Sequence, residues 1–438
     1  MTEDFRLYKL EEICLLINRG ITPKYVKDGG ILILNQKCIR NGCINFSLAQ
    51  RTDIEKKIPE NKIVMLFDIL VNSTGVGTLG RVSQITNLQE SCTVDSHITI
   101  VRANSKLVYP YYLGFILRNN QGLIEDLAEG STGQTELSRK RLGELTIKLP
   151  PLAEQKAIAH ILGTLDDKIE LNRKMNETLE AIAQAIFKSL FVDFEPVRAK
   201  MEGRWQPGQS LPGLPANLYD LFPDKLVDSE LGEIPEGWEV GKLNQLSSIS
   251  TKSIMANKYP AKIYEHYSIP AFDINKLPVL ELGNNIKSQK YLIEKNSILV
   301  SKLNPENSRV WLPNIRSDNA ICSTEFMQFI PIKDEYRPFL YLLMTSNFIQ
   351  EEILKYVSGS TGSRQRAQPS KVAEIIILNP PKQLINTFHK EVNSLLLQIL
   401  LQREQSLLLT EIRDTLLLKL ISGEIRIKDT GKFLEERL

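Results

Sequence analysis

Two short segments of this sequence combine glycine, small hydroxyl side chains and basic side chains. Each begins with Gly-Ser-Thr-Gly, at residues 130–133 and again at residues 359–362. Glycine and small hydroxyl residues let a phosphate approach the backbone, while glutamine can pair with adenine and arginine with guanine through two hydrogen bonds. These residue types therefore predict contact with DNA, although an ordinary basic surface loop has a similar composition. The candidates are Ser131, Thr132, Gln134, Arg139, Lys140 and Arg141 in the first segment, and Ser360, Thr361, Arg364, Gln365, Arg366 and Lys371 in the second.

Three further polar segments are secondary candidates for the same contact. They lie beside or directly after predicted strands, where side chains can project from the edge of a sheet. Ordinary turns use the same residue types, so both interpretations stay open. The secondary candidates are Arg19, Thr22 and Lys24, then Asn72, Ser73 and Thr74, and finally Ser301 and Lys302.

Two motifs resemble catalytic signatures but lack side chains that the chemistry requires. Residues 379–382 read Asn-Pro-Pro-Lys, whereas the motif with which amino-methyltransferases hold a flipped base ends in an aromatic residue that stacks on it. Residues 75–80 have the glycine spacing of a phosphate loop, but Arg81 and Val82 replace the lysine and the hydroxyl residue that follow it. The sequence therefore predicts no catalytic residue and no cofactor site.

Metal binding is also not expected from the histidines and cysteines. The four histidines are scattered without metal or catalytic spacing. Cys38 and Cys43 lack the second pair of ligands that would complete a zinc site, and the five cysteines are odd in number. We expect buried free thiols and no metal.

A long duplication explains why the candidate segments occur twice. Pro150-Pro151 and Pro380-Pro381 follow the two segments and repeat at nearly the same separation. A period of this length is domain-sized, unlike the repeats of about 20 to 50 residues found in solenoids. The predicted parts are a first recognition domain (1–151), a first spacer helix (152–194), a linker rich in proline and glycine (195–237), a second recognition domain (238–381), a second spacer helix (382–423) and a charged tail (424–438).

Each copy begins with sequence that favours an α+β fold. Short apolar runs bounded by turn residues predict strands, and a proline near an aromatic pair predicts a short helix at residues 109–113 and 336–341. The predicted strands are 31–34, 63–66, 69–72 and 97–101 in the first copy, and 297–300 and 326–330 in the second.

After each proline pair, apolar residues recur at alternating spacings of four and three over about forty residues. This is a heptad seam, and both seams become polar in the middle. Two polar middles would face each other in an antiparallel coiled coil, although each helix packing on its own domain is the alternative. The seam positions are Ile158, Leu162, Leu165, Ile169, Asn172, Asn176, Leu179, Ala183, Ile186 and Leu190, and Phe388, Val392, Leu395, Ile399, Gln402, Ser406, Leu409, Arg413, Leu416 and Leu420.

Composition is that of an ordinary globular chain. The 438 residues are 42% hydrophobic and 24% charged, with a formal net charge of +2 that neither supports nor excludes DNA binding. The first residues are charged, and no apolar run reaches the length of about eighteen residues that spans a bilayer. We therefore expect a cytoplasmic protein.

At this point the sequence resembles the specificity (S) subunits of type I restriction-modification systems. The resemblance covers nearly the whole chain, and the combination of segments is more specific than any one of them. Besides the first GSTG, the segments that carry it are LSRKRLGELTIKLPPLAEQKAIAHIL (137–162), LDDKIELNRKMNETLEAIAQAIFKSLFVDFEPVRAK (165–200), LFPDKLVDSELGEIPEGWEV (221–240) and LISGEIRIKD (420–429).

The resemblance implies a function and partners. Two target-recognition domains would each read one half of a bipartite double-stranded DNA site, and two antiparallel helices would hold them apart. Methyltransferase (M) and restriction (R) subunits would supply methylation, cleavage and ATP use. In the second copy, residues 362–367 read GSRQRA where the family pattern is GQTELSRK.

Two other functions are compatible with parts of the sequence. One is a self-contained methyltransferase or nuclease, which requires a cofactor site and methyl transfer by the chain alone. The other is a coiled-coil scaffold, which would show none of the salt-dependent DNA binding that phosphate contacts produce. For a DNA reader, a helix of about forty residues is about 60 Å long, so the half-sites should lie between one and two turns of B-DNA apart.

Overall fold

The computed structural model describes residues 5–40, 42–53, 58–130, 135–358 and 365–427. The chain forms two compact units. Unit 1 comprises Met1–Ile169 together with Leu408–Leu438, and unit 2 comprises Glu170–Leu407. Because both long helices cross a boundary between the units, each unit contains one part of each helix.

Unit 1 begins with a mixed set of strands and short helices. Its strands are β1 (Arg6–Lys9), β2 (Cys14–Arg19), β3 (Tyr25–Val26), β4 (Ile31–Leu34), β5 (Ile39–Arg40), β6 (Cys43–Ile44), β7 (Gln50–Thr52), β8 (Ile69–Asn72), β9 (Val82–Gln84), β10 (Cys92–Val94), β11 (Ile98–Ala103) and β12 (Thr146–Leu149). Its short helices are α1 (Leu10–Ile13), α2 (Pro110–Asn119), α3 (Gln121–Asp126) and α4 (Arg139–Gly143).

A central antiparallel sheet in the order β2-β11-β8-β9 organises unit 1. Successive side chains of a strand point to opposite faces. Ile69 and Val71 accordingly join the core that contains α2, whereas Leu70 joins a second core on the other face. That second core is shared with an outer sheet in the order β10-β4-β7-β3, in which β4 and β10 are parallel. The central sheet is therefore buried on both faces.

Unit 2 repeats this plan with additional elements at its start. Its strands are β13 (Leu226–Ser229), β14 (Gly232–Pro235), β15 (Glu239–Lys242), β16 (Ser247–Ser250), β17 (Ser253–Ile254), β18 (Ile263–Tyr267), β19 (Val279–Leu282), β20 (Lys290–Leu292), β21 (Ile298–Ser301), β22 (Val310–Trp311), β23 (Ala320–Ser323), β24 (Phe326–Pro331), β25 (Val357–Ser358), β26 (Arg366–Ala367) and β27 (Ile376–Asn379). Its helices besides the long pair are α6 (Glu195–Met201), α7 (Ile269–Asn275), α8 (Arg337–Thr345), α9 (Asn347–Lys355) and α10 (Pro369–Val372).

The central sheet of unit 2 has the order β16-β24-β21-β22, which matches that of unit 1 strand for strand. The outer sheet of unit 2 has the order β17-β20-β23-β18-β19 and contains the corresponding parallel pair, β18 and β23. In both units the last strand also pairs with a strand that precedes the central sheet in sequence, β12 with β1 and β27 with β15. The duplication read from the sequence is therefore a duplication of topology.

Most predicted strands are confirmed, and one is wrong. Strands predicted at 31–34 and 69–72 have those bounds, and the others differ at their ends by one or two residues. The run 63–66 forms no strand: Ile63 makes one isolated bridge, and the chain then turns at Phe67, whose φ is +67°. Met65 and Leu66 are about half exposed. The two predicted short helices are confirmed as α2 and α8, and both have proline in the first turn.

The expectation of buried thiols holds for some cysteines and fails for one. Cys38, Cys92 and Cys322 are buried, whereas Cys43 is exposed. Cys43 lies in the short hairpin of β5 and β6, where its strand has a partner on one side.

The two long helices begin directly after the proline pairs. Helix α5 spans Leu152–Phe191 and α11 spans Lys382–Ser422. The carbonyl of Pro151 accepts a hydrogen bond from the amide of Gln155 at 3.0 Å, and the carbonyl of Pro381 accepts one from that of Ile385 at 3.1 Å. Each proline pair thus lies between the end of a strand and the start of a long helix.

In unit 1, the start of α5 packs against the end of α11. Leu417 and Leu420 of α11 belong to the same buried cluster as Ile158 and Leu162 of α5. Beyond the last turn, Gly423 has φ +80°, the left-handed conformation in which glycine usually ends a helix.

Ion pairs reinforce this contact in unit 1. Asp166 of α5 accepts hydrogen bonds from Arg413 of α11 at 2.6 Å and from Arg118 of α2 at 3.2 Å. Arg426, which follows α11, donates two hydrogen bonds of 2.7 Å to the buried carboxylate of Glu154. Since a buried carboxylate without a partner is costly, Arg426 fixes the segment that follows α11.

In unit 2, the end of α5 packs against the start of α11. Phe187 and Phe191 of α5 contact Phe388 of α11 with ring centroids 6.3 and 5.0 Å apart. Asn172 donates to Gln405 at 2.9 Å and to Ser406 at 3.3 Å, and Glu180 forms an ion pair with Arg403.

These contacts confirm an antiparallel pair with a polar middle. As residue numbers increase along α5, the numbers of their partners on and just after α11 decrease. The successive pairs are Glu154 with Arg426, Asp166 with Arg413, Asn172 with Gln405 and Glu180 with Arg403. Every seam position predicted from the sequence is buried or half-buried. The fold class is therefore α+β, with two related domains that are each followed by a long helix.

Residues 195–237, which the sequence predicts as a linker, contribute to the core of unit 2. Val197 and Trp205 are buried there, and Leu218 lies in the same cluster. The segment also contains α6 and the hairpin of β13 and β14. Within the residues that the structure describes, no helix is long and apolar enough to cross a membrane.

Replacing the polar middle by leucine should stabilise the chain. In the described residues, Oδ1 of Asn172 and Oε1 of Gln402 are buried without a hydrogen-bond partner. We expect Asn172→Leu combined with Gln402→Leu to raise the free energy of unfolding by about 1–3 kcal/mol, as measured by urea denaturation. Arg173→Ala, at an exposed position of the same helix, is the control and should change stability by less than about 0.5 kcal/mol. A less stable double variant would contradict the burial argument.

Candidate nucleic-acid interface

The first Gly-Ser-Thr-Gly segment lies between two backbone positions that are paired. Glu129 and Glu136 exchange hydrogen bonds of 3.0 and 2.8 Å, from the amide of each to the carbonyl of the other. The candidates Ser131, Thr132 and Gln134 fall outside the described residues. The paired glutamates hold together the described residues on either side of the segment.

The second segment lies between β25 and β26 in the same way. Ser358 pairs with Arg366, and Val357 pairs with Ala367. The candidates Ser360, Thr361 and Arg364 fall outside the described residues. We call the described residues on either side of the first segment (129–130 and 135–137) the first hairpin, and those on either side of the second (357–358 and 365–367) the second hairpin.

Both hairpins are attached to the loop that follows the third strand of the central sheet. In unit 1, the amide of Leu137 donates to the carbonyl of Ser73 at 2.8 Å; in unit 2, the amide of Ala367 donates to that of Lys302 at 2.9 Å. These pairs are equivalent under the duplication, because their members keep the offset at which the Gly-Ser-Thr-Gly segments and the proline pairs recur. The structure therefore brings together, in each unit, two segments that the sequence identified separately.

A charged side chain also ties each hairpin to its unit, with the charges reversed between units. Arg19, at the end of β2, donates to the carbonyl of Leu137 at 2.7 Å and forms an ion pair with Glu136 of the first hairpin. Arg366 of the second hairpin instead donates two hydrogen bonds of 2.9 Å to Glu325, which precedes β24. The sequence analysis identified the arginines but missed both glutamates, because no local motif marks a long-range ion-pair partner.

Basic side chains crowd the surface beside the first hairpin. Arg139 is exposed and donates to Oδ1 of Asn18 at 3.1 Å. The same oxygen accepts from Nζ of Lys62 at 3.4 Å, and Lys62 also donates to the carbonyl of Gly20 at 3.0 Å. Burial lowers the pKa of Lys62, and the nearby charge of Arg139 lowers it further. Lys62 was not a sequence candidate, since it stands alone in its segment.

Helix α4 sets the directions of the remaining basic side chains in unit 1. The hydroxyl of Ser138 caps the helix by accepting from the amide of Arg141 at 3.2 Å. Lys140 is exposed, whereas Arg141 pairs with Glu129 at 2.9 Å. Arg141 therefore supports the first hairpin, while Arg139 and Lys140 present their charges to solvent.

Several candidate side chains face the interior, and they hold in place the loop that follows the third strand of the central sheet. Asn72 and Ser73 are fully buried, and Ser301 is 3% exposed. The hydroxyl of Ser73 lies 2.6 Å from that of Thr99. Thr74 is half-buried, and its hydroxyl lies 2.7 Å from Nδ1 of His97. These side chains support the attachment loop from within.

The other candidates lie on loops with exposed or half-buried side chains. Thr22 and Lys24 follow β2 on the loop that crosses to the outer sheet, where Lys24 pairs with Asp53 at 3.2 Å. In unit 2, Lys371 is exposed on α10, and Lys302 and Gln365 are half-buried.

The candidate residues as a group offer charges and hydrogen-bond donors rather than a reactive group. In the described part of the chain, no cluster of three or more His, Cys, Asp or Glu side chains is placed to bind a metal ion.

Comparison with protein families identifies the architecture. The model of the type I restriction modification DNA specificity domain matches residues 2–181 and 235–387. Two curated relatives are the type I restriction enzyme HindI specificity subunit of Haemophilus influenzae, 28% identical over 83% of this chain and 88% of that protein, and the MjaIX specificity subunit of Methanocaldococcus jannaschii, 29% identical over 73% and 69%.

A solved structure has the same fold. The S subunit of the type I restriction-modification system from M. genitalium matches with a TM-score of 0.58 at 18% identity, over 96% of this chain and 99% of that one. At this identity the likeness concerns the fold alone.

The ion pair of the second hairpin should restrain its backbone. We expect Glu325→Ala to accelerate amide hydrogen exchange at Ala367 by about two- to fivefold, because an exposed ion pair contributes only a small part of the local stability. Lys371→Ala removes an exposed charge on the next helix and should leave that rate unchanged. Equal exchange in Glu325→Ala and in the unmodified chain would contradict the restraint.

Proposed function

We propose a function from one premise: the chain belongs to the family of type I restriction-modification DNA specificity proteins. It reads the DNA sequence for a complex in which methyltransferase subunits methylate the target and restriction subunits cleave. Each unit reads one half of a bipartite site, and the chain itself supplies recognition rather than catalysis. We place this activity in the cytoplasm, where bacterial and archaeal DNA lies.

The observation that supports this proposal is the repeated attachment of a hairpin to a central sheet, with basic side chains close to it in sequence in both units. Positioned hydrogen-bond donors read bases, while mobile charges give only affinity. The attachment of Leu137 to Ser73, and of Ala367 to Lys302, supplies such positioning in both units. A chain that served as a scaffold would not need two hairpins attached at equivalent positions.

The two halves of the target should differ. The hairpin attachments are equivalent in the backbone, but the first hairpin carries an acidic residue, Glu136, where the second carries Arg366. The described outer sheets also differ, with four strands in unit 1 and five in unit 2. Different side chains on equivalent frames present different donors and acceptors to the bases. The proposed target is therefore asymmetric.

Arg139 is the sharpest test of the proposed contact. We expect Arg139→Ala to weaken target binding by the complex with its methyltransferase subunits about tenfold, because one charged hydrogen bond to DNA is lost. If Arg139 contacts phosphate, the slope of log affinity against log salt should fall by about 0.9; if it contacts a base, specificity should relax at one position.

A matched variant controls for a general loss of positive charge. Arg204 is also exposed, lies outside the candidate segments and pairs with Glu195 at 2.9 Å and with Glu202. Arg204→Ala should bind as the unmodified complex does. If Arg139→Ala also keeps the original affinity, salt slope and specificity, Arg139 is not part of the interface.

The lengths of α5 and α11 should set the gap between the half-sites. Removing one heptad from each helix, at facing positions, shortens the pair by about 10 Å, which corresponds to roughly three base pairs. We expect the gap in the methylated target to shorten by that amount, as mapped by sequencing methylated DNA. Replacing the same heptads with others of equal length should leave the gap unchanged. An unchanged gap after the deletion would refute the helix pair as a ruler.

A further inference from the structure

A loop of unit 2 is bound to the middle of α11. This loop, residues 312–319, connects β22 of the central sheet to β23 of the outer sheet. Glu404 of α11 accepts hydrogen bonds from Arg316 at 2.9 Å through Nε and at 2.8 Å through Nη2. It also accepts one from the side-chain amide of Asn314. We call these three residues the clamp.

The loop is a junction held from several directions. Arg337, at the start of α8, donates to the carbonyl of Pro313 at 2.7 Å. The hydroxyl of Tyr267, in the outer sheet, donates to the carbonyl of Asn314 at 3.0 Å. The central sheet, the outer sheet and α8 therefore meet at the loop that the clamp ties to α11. The clamp therefore connects α11 to three elements of the recognition domain.

The clamp lies beside the contact between the two long helices. Arg403, the neighbour of Glu404, forms an ion pair with Glu180 of α5. Successive residues of a helix are rotated by about 100°, so neighbouring side chains point in different directions. Arg403 thus faces the paired helix while Glu404 faces the recognition domain. The same turn of α11 holds both.

The other copy of the repeat does not have the residues for this clamp. The position of α5 equivalent to Glu404 is Lys174, which pairs with Glu170 on its own helix at 3.7 Å. The ammonium group of Lys174 can donate hydrogen bonds but cannot accept them from an arginine, as the carboxylate of Glu404 does. In the loop of unit 1 between β9 and β10, Glu90 pairs with Arg51 of the outer sheet at 2.8 Å. The clamp is thus a property of the second copy's own sequence.

The clamp is placed to resist rotation rather than to hold the fold together. The recognition domain of unit 2 is already joined to α11 by a buried cluster that includes Phe388 and extends to Leu400. Glu404 is one turn further along the helix than Leu400. Side-chain packing fixes the distance between two elements, whereas a directional charged hydrogen bond at the end of the contact also fixes their angle.

We propose that Glu404, with Arg316 and Asn314, is a positioning residue that sets how strictly the gap between the half-sites is measured. This inference rests on the proposed function. With the clamp intact, the second recognition domain keeps one angle on α11 and accepts one gap length. Without it, the domain rotates and accepts neighbouring gap lengths, while the bases read in each half-site stay the same.

The test measures gap tolerance in the complex with its methyltransferase subunits. DNA duplexes carry both half-sites, with gaps from two base pairs shorter to two longer than the natural one. We expect Glu404→Ala to lower the methylation preference for the natural gap over its neighbours by about tenfold. Arg316→Ala should have a similar effect, and the reversed pair Glu404→Arg with Arg316→Glu should restore the preference.

Controls separate the clamp from folding and from the proposed function. Lys174→Ala, at the equivalent position, should keep the original preference, and Glu404→Ala should keep the original base preference within each half-site. An unchanged gap preference in Glu404→Ala, with the unmodified complex active, overturns the clamp while the proposed function stands. If the unmodified complex methylates no two-part target, the proposed function fails and the clamp's role fails with it.

Discussion

The contact between the start of α5 and the end of α11 is the constraint on which unit 1 depends. Ile158 and Leu162 of α5 are fully buried, and Leu417 and Leu420 of α11 lie in the same cluster. The core of unit 1 is therefore not complete until α11 has been made. Contacts so distant in sequence cost loop-closure entropy before they contribute stability, so folding of this unit should be limited by that step.

The polar middle of the helix pair explains why the pairing has one register. A seam of leucines alone could slide by a heptad with little loss of packing, whereas buried polar side chains must keep their partners. Asn172 donates to Gln405 and Ser406, and the ion pair of Arg403 with Glu180 follows nearby. A slip of one heptad would separate these groups.

Patterns that recur along the sequence predicted more of this fold than a single run of apolar residues did. The heptad spacing, the proline pairs and the domain-length repeat gave the helices, their starts and the duplicated plan. Ile63 to Leu66 looked like a strand because four apolar residues are adjacent, yet the turn at Phe67 leaves Met65 and Leu66 partly exposed. At the candidate site, the two Gly-Ser-Thr-Gly segments were identified as candidates from their composition. The partners Glu136 and Glu325 were not, because ion pairs join residues that only the folded chain brings together.

The ion pairs at the two hairpins indicate how one backbone frame can carry different side chains. The hydrogen bonds from Leu137 to Ser73 and from Ala367 to Lys302 use backbone atoms, which every residue except proline supplies in full. Side chains at these positions can therefore change without loss of the attachment. Each hairpin also forms an ion pair, Glu136 with Arg19 and Arg366 with Glu325, so this hairpin position carries either sign of charge. A backbone frame that tolerates such exchange keeps each hairpin attached while the side chains around it differ between the units.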